Sequence, residues 1–429
     1  MSGEYHTRAR FVLLFLFVAV LLLLRKPDLF ANPQLYAEDA SVFFRDQLVS
    51  SRTAVFFPYN GQFHLAPRLI ALFESAVPLA AVPLVCSMAS IVIHALCLSV
   101  FFLPWNRWLI SNDLLRAAVC LVLATALDGT EMIGFSGPLM WYLFLAGILL
   151  LFRHEDGRPR TAIGRSTAVA AMAVIGLSAA PMLTLAPAAI WLAIKRRGVQ
   201  RTIALALLAS LVVQVSGLIF SQRSDHPAQP VAGLIMLAWQ VATATVVSWA
   251  YAGVVTPLAG KSAAIAMSQW PSIGPPLFVV IGLAILVTWL LTTSAPNERA
   301  RLAIGLYLAV GTLASALYTR DLLGFSLILN GNAPALPPRY LVLAGALLVY
   351  MTCLVIQRLP LADPRLQAIC LLLVFAVGIH ANFSQPPYQN FPWKAAVPQI
   401  VNWRAARAEG RPKPMAVPIA PAPWAIYLP

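Results

Sequence analysis

Apolar runs bounded by arginine and lysine leave this chain one kind of fold. The clearest, Phe11 to Leu24, reads FVLLFLFVAVLLLL and lies between Arg8 and Arg10 on one side and Arg25 and Lys26 on the other. Similar runs follow at 83–103, 114–127, 139–152, 167–180, 182–194, 202–220, 273–293, 302–318, 340–356 and 366–383. Lipid offers no partner to an open backbone group, and a hydrocarbon core of about 30 Å takes about 20 apolar residues as a helix. The pattern therefore predicts an all-α polytopic membrane protein of about eleven transmembrane helices. A hydrophobic fraction of 60% and a mean hydropathy of +0.78 exclude an ordinary soluble domain.

The first run is short enough to resemble the core of a signal peptide. The charges behind it, and the lack of a small-x-small cleavage site, predict an uncleaved anchor. Several later runs are also short, and Pro181 and Pro187 predict a broken pair within 167–194. The net charge of +14 raises nucleic acid as a partner, but the basic residues stand singly or in short runs at the ends of apolar stretches, where they anchor loops. Cys86, Cys97, Cys120, Cys353 and Cys370 fall inside apolar runs with no CxxC spacing, so they read as small core residues.

A cytoplasmic N-terminus collects Arg8, Arg10 and the arginines and lysines of the short loops at 107–116, 153–165, 195–201, 299–301 and 358–365 on the inner side. The positive-inside rule thus predicts an extracytoplasmic C-terminus in a cell membrane. It places the region from about Arg25 to Val82 outside. Within that region Ala37–Val49 and Leu65–Leu79 read as amphipathic helices lying at the interface. A third such helix, or a buried span, is expected at Val231–Val254. Residues 1–383 form the membrane domain, and 384–429, rich in proline and carrying Trp393, Trp403 and Trp424, form an extracytoplasmic tail that acts as a lid or a plain strap.

The outer loop contains LYAEDASVFF, in which Glu38 and Asp39 are adjacent acids in a chain only 11% charged. It also contains PYNGQFHLAPRLIALF. Farther on stand DGTEMIGFSGPLMWYL, GLSAAPMLTLAP and PPRYL, the last opening a late span. A cytoplasmic N-terminus, one span, an outer loop with early acids and these stretches resemble the GT-C superfamily of integral-membrane glycosyltransferases. The resemblance implies a polyprenyl-phosphate-linked sugar donor, a glycan, lipid or protein acceptor, a catalytic acid in the first outer loop, and Arg or His residues holding the donor phosphate.

The residues read by themselves agree with that chemistry. Transfer with inversion needs a carboxylate to take the proton of the acceptor nucleophile. Neighbouring residues on a helix point about 100° apart, so one acid acts and the other supports it: Asp39 is expected to be the base and Glu38 to orient it or bind a cation. The competing reading is an acid pair complementing the dipole of its own helix ahead of Val42. A departing phosphate needs fixed cations. Arg339, beside Tyr340, is the first candidate, followed by Arg320, His64 and Arg68. Asp128 and Glu131, in the second outer loop, are expected to contact the sugar or acceptor or to share a divalent cation with the first loop, and Trp141 to stack on a sugar ring. A transporter or flippase would instead place charges mid-span. A polysaccharide polymerase or ligase would use a large outer loop late in the chain.

Overall fold

A computed structural model describes residues 2–153, 161–220, 241, 242, 245, 246, 248–268, 274–320 and 338–429. The fold is mostly helical. Among the described residues the α-helices of six residues or more are α1 (Ser2–Arg25), α2 (Arg45–Ser50), α3 (Leu65–Glu74), α4 (Val82–Ser99), α5 (Asp113–Thr125), α6 (Leu139–Leu151), α7 (Ala162–Ser178), α8 (Ala186–Lys195), α9 (Gly198–Phe220), α10 (Lys261–Ser268), α11 (Gly274–Thr293), α12 (Pro296–Arg320), α13 (Val342–Arg358), α14 (Pro364–Val374), α15 (Ala376–Phe383) and α16 (Trp393–Ala408).

Each expected run carries a helix, but among the described residues four segments, Thr7–Arg25, Leu79–Phe102, Gly198–Ile219 and Arg339–Arg358, are long and apolar enough to cross a membrane. Two bent pairs raise the number to six if each is one span: α7 with α8, turned by 115°, and α14 with α15, turned by 54°. The expected eleven is thus not reproduced by length and composition. The first bend falls at Ala180–Leu185, a 3₁₀ segment containing Pro181, where the missing amide and the ring stop an α-helix. Side-chain caps start α5 and α14: the Asn112 side chain accepts the Leu114 and Leu115 amides ahead of α5, and Asp363 accepts the Arg365 amide ahead of Pro364 in α14.

α6 is apolar on nearly every face and almost wholly buried, so it forms the centre of the bundle. Peripheral helices leave Leu13, Leu16, Phe17, Val212, Ile219, Phe278, Leu373 and Val377 exposed, as side chains facing acyl tails would be. Polar contacts inside the bundle are few and specific. The Gln214 side chain on α9 accepts the Phe63 amide at 2.9 Å and donates to the Phe63 carbonyl at 3.0 Å, and Ser178 on α7 accepts the Ala66 amide at 2.8 Å. These bonds tie the first long loop to the bundle.

The interfacial helices differ in form from their expectation. Ala37–Val49 is an irregular turn followed by a π-helical segment, Asp39–Phe44, and α2; Leu65–Leu79 shortens to α3. Most of Val231–Val254 lies outside the described residues, as do 321–337. The tail is folded. After α16 it forms an antiparallel hairpin, β1 (Met415–Pro418) with β2 (Ala425–Leu428), in register Val417 to Ile426, whose side chains are buried. It packs on the first loop: Trp393 Nε1 donates to the Leu79 carbonyl at 2.6 Å and Arg407 donates to the Val49 carbonyl at 2.7 Å.

Close packing fixes α15. A Cβ on Gly378 would lie 1.7 Å from the Pro257 carbonyl oxygen, whereas one on Gly282 in α11 would meet nothing within 4 Å. Gly378→Ala is therefore expected to lower stability by about 1–3 kcal/mol or more, and Gly282→Ala to raise it by up to about 1 kcal/mol through helix propensity. Thermal unfolding in detergent checks both, and equal melting temperatures would contradict the packing.

Candidate functional site

The acidic segment enters the site along an aromatic wall. Tyr36 stacks on Phe135 with centroids 4.3 Å apart, and Tyr388 of the tail lies 5.0 Å from Tyr36 and 4.8 Å from Phe135. The next residue, Ala37, has φ +42°, a left-handed conformation unusual for a residue with a Cβ, and its amide donates to the Ala420 carbonyl at 2.7 Å. This turn and the π-helical segment that follows separate the two acids. Asp39 points into the protein and is buried, while Glu38 stays partly exposed.

Asp39 sits against the loop between α5 and α6. Its Oδ1 accepts Ser136 Oγ at 2.6 Å and the Gly137 amide at 3.1 Å; its Oδ2 accepts the Ser136 amide at 3.0 Å and the Cys86 thiol at 3.6 Å. Ser136 and Gly137 lie just ahead of α6, so the carboxylate lies at the positive end of that helix as well as in the first turn of its own segment. Burial nevertheless outweighs these donors and pushes the Asp39 carboxyl up to about 6, with Glu38 adding to the rise. The loop reaches Asp39 because Gly134, at φ +82°, lets it turn against Leu29, where a Cβ would fall 2.5 Å from a Leu29 methyl.

Arg339 joins from the start of the Arg339–Arg358 segment. Its Nη1 lies 3.6 Å from Glu131 Oε2, its guanidinium stands 5.4 Å over the Tyr340 ring, and Glu38 is close enough to act on its charge. Tyr340 meets Trp141 edge-on at 5.2 Å. Three stretches far apart in sequence, 36–39, 131–141 and 339–340, thus converge at one end of the bundle.

Other candidates lie elsewhere or in other roles. Arg68 is buried, ion-paired to Asp46 at 2.8 Å and set 5.1 Å over Phe43, and His64 packs 5.7 Å from Phe43 and 5.9 Å from Tyr59. The charges acting on Arg68 are those of Asp46 and Arg45, whereas those acting on Arg339 are Glu38 and Glu131. The expected cations therefore form two groups. Trp141 is buried beneath Tyr340, so its ring does not face a ligand as expected. Asp128 accepts the Thr130 amide at 2.9 Å and pairs with Lys261 at 3.1 Å. With Glu131 on Arg339, both acids of this loop have cationic partners. Among the described residues no three His, Cys, Asp or Glu side chains gather as a metal ion requires. The Arg320 side chain and Asp321 lie outside the described residues. Sequence reasoning missed Ser136, Tyr36, Tyr388 and Glu74, and gave Cys86 only a packing role.

Removing the Asp39 carboxylate orphans the Ser136 and Gly137 amides, at about 1–3 kcal/mol each. Asp39→Leu is expected to lower the melting temperature in detergent clearly more than Asp39→Asn, which keeps one acceptor oxygen; indistinguishable melts would deny the anchoring role. No family model matches the chain, and no curated protein matches it.

Proposed function

We propose that this protein is an integral-membrane glycosyltransferase that moves a sugar from a polyprenyl-phosphate-linked donor to a glycan, lipid or protein acceptor at the extracytoplasmic face. The observation that carries this reading is the docking of a buried first-loop carboxylate, Asp39, on the second loop, whose Glu131 lies 3.6 Å from Arg339 of the late PPRY segment. Acid and cation are the two groups that displacement of a lipid phosphate needs. The acceptor oxygen forms a bond to the anomeric carbon as the bond to the phosphate oxygen breaks. The bonding electrons leave with the lipid phosphate, and the acceptor proton passes to Asp39.

Two features of the site suit those roles. A carboxyl near 6 is ionised at neutral pH yet more basic than an ordinary aspartate, which favours a general base. Arg339 holds Glu131 only at 3.6 Å, so its paired donors are available to a phosphate that offers shorter, bidentate bonds. For Asp39 to reach the acceptor, the acceptor hydroxyl must take the place of the Ser136 hydroxyl on Oδ1. A second reading assigns the base to Glu38, because Glu38 is partly exposed on the Arg339 side while Asp39 is enclosed.

The topology that goes with this function has about eleven membrane passages, a cytoplasmic N-terminus, and the 37–46 segment and the tail outside together. Cysteines placed at Ser41 and Ser384 should both react with an impermeant reagent in intact cells, and labelling of only one would break that topology.

Asp39→Asn should lower transfer by about 10²–10⁴-fold with donor binding retained. The wild-type rate should fall as pH drops through about 6, where the base becomes protonated. A larger loss in Glu38→Gln than in Asp39→Asn would move the base to Glu38, and turnover within a few-fold of wild type in both would remove the glycosyltransferase reading. Arg339→Ala should weaken donor binding sharply, with partial recovery in Arg339→Lys; unchanged affinity would leave Arg339 a membrane anchor.

A further inference from the structure

Glu74 is the last residue of α3 and is only 2% exposed. Among the described residues no cation acts on it. Arg68, on the same helix, is committed to Asp46, and the groups that act on Glu74 are the Cys86 thiol and Asp39. Cys86 lies in the first turns of α4, fully enclosed, with its thiol donating to Asp39 at 3.6 Å and with Glu74 close enough to act on it. Two buried carboxyls therefore act on one thiol.

A thiol has a single hydrogen and cannot donate to two carboxylates. Two ionised carboxylates in a buried, apolar shell, with no cation on either, would carry a large uncompensated desolvation cost. One of them keeps a proton. Asp39 receives the Ser136 amide, the Ser136 hydroxyl and the Gly137 amide, all of which favour its ionised form; Glu74 has none of these. The charge belongs on Asp39 and the proton on Glu74.

We propose that Glu74, Cys86 and Asp39 form a buried relay holding one proton and one negative charge: the neutral Glu74 carboxyl donates to the Cys86 sulfur, and the Cys86 thiol donates to Asp39, fixing its carboxylate ionised and oriented. Glu74 and Cys86 are positioning residues in this arrangement. The order of basicity agrees, because burial pushes Glu74 up to about 8, above Asp39. Other titratable groups on the elements packed around α3 are occupied or distant: Arg45 and Arg68 on Asp46, Arg52 exposed on the 51–56 turn, Arg165 at the far end of α7, and His94 and Cys97 farther along α4. Only the relay's effect on turnover rests on Asp39 being the working base.

The test is infrared difference spectroscopy on the purified full chain in nanodiscs. Wild type at neutral pH should show the carbonyl stretch of a protonated carboxylic acid that is lost in Glu74→Gln and shifted in frequency in Cys86→Ala, and that titrates away near pH 8. If Glu74→Gln does not fold, the wild-type titration and the Cys86→Ala shift still decide. Absence of the band, or a band that Cys86→Ala leaves unmoved, overturns the relay. Stability gives a second arm. A carboxyl whose pKa is raised by folding binds its proton more tightly in the native state, so stability is greatest at low pH and is lost as pH rises from about 4 toward about 8. The melting temperature of wild type should fall over that window more than that of Glu74→Gln, and equal slopes count against the proposal. In transfer assays Cys86→Ala should move the acidic limb of the pH profile up and Cys86→Ser, a stronger donor, should move it down. Infrared results as expected with no transfer activity in wild type would keep the relay and discard the glycosyltransferase reading.

Discussion

The arrangement depends on one buried guanidinium. Arg25 ends α1 and donates to the carbonyls of Ala124 and Leu127 at the end of α5 and of Asn382 and Phe383 at the end of α15, while its own carbonyl accepts the Gln385 amide. Withdrawing a cation from water costs several kcal/mol unless it is well paired. Here its partners are helix C-termini, which carry partial negative charge and unsatisfied carbonyls. The same contact satisfies both needs and fixes where three helices stop. Everything at the site end of the bundle is hung from those stops: the first loop leaves from Arg25, the second from Leu127, and the tail from Phe383.

That dependence explains what the sequence made legible. Apolar runs, the basic residues that bound them, the acid pair and PPRY are local signals, and each falls at a helix, a helix end or the convergent site. The direction of Asp39 was not legible, because it follows from a left-handed Ala37 that a distant backbone carbonyl, Ala420, holds in place. The internal fold of the tail was not legible for a related reason. Its prolines suppress helix and strand propensity, yet the buried Trp393, Trp403 and Ile426 give α16 and the hairpin an apolar face to pack. The number of crossings is less legible than the apolar runs suggest, since several helices are shorter than a bilayer is thick and two pairs of helices are joined across bends. Arg68 and Trp141 show a further limit: residue type suggested a ligand, and burial gave them partners within the protein.

The two acids illustrate how a bundle sorts neighbouring identical charges. Rotated apart by the π-helical segment, one carboxylate enters a small polar pocket of amides, hydroxyl and thiol, and the other remains among Glu131, Arg339 and the aromatic wall. Like charges so close would oppose each other's ionisation on one face. On two faces, each meets a different dielectric and a different set of donors, which is the condition for two chemically similar groups to perform different tasks.

The hydrogen bond from Ala37 to Ala420 also orders events in time. On the ribosome the Ala37 segment emerges long before Ala420, and the membrane helices between them are inserted in the interval. The turn that aims Asp39 is therefore the first part of the site to be synthesised and among the last to be fixed.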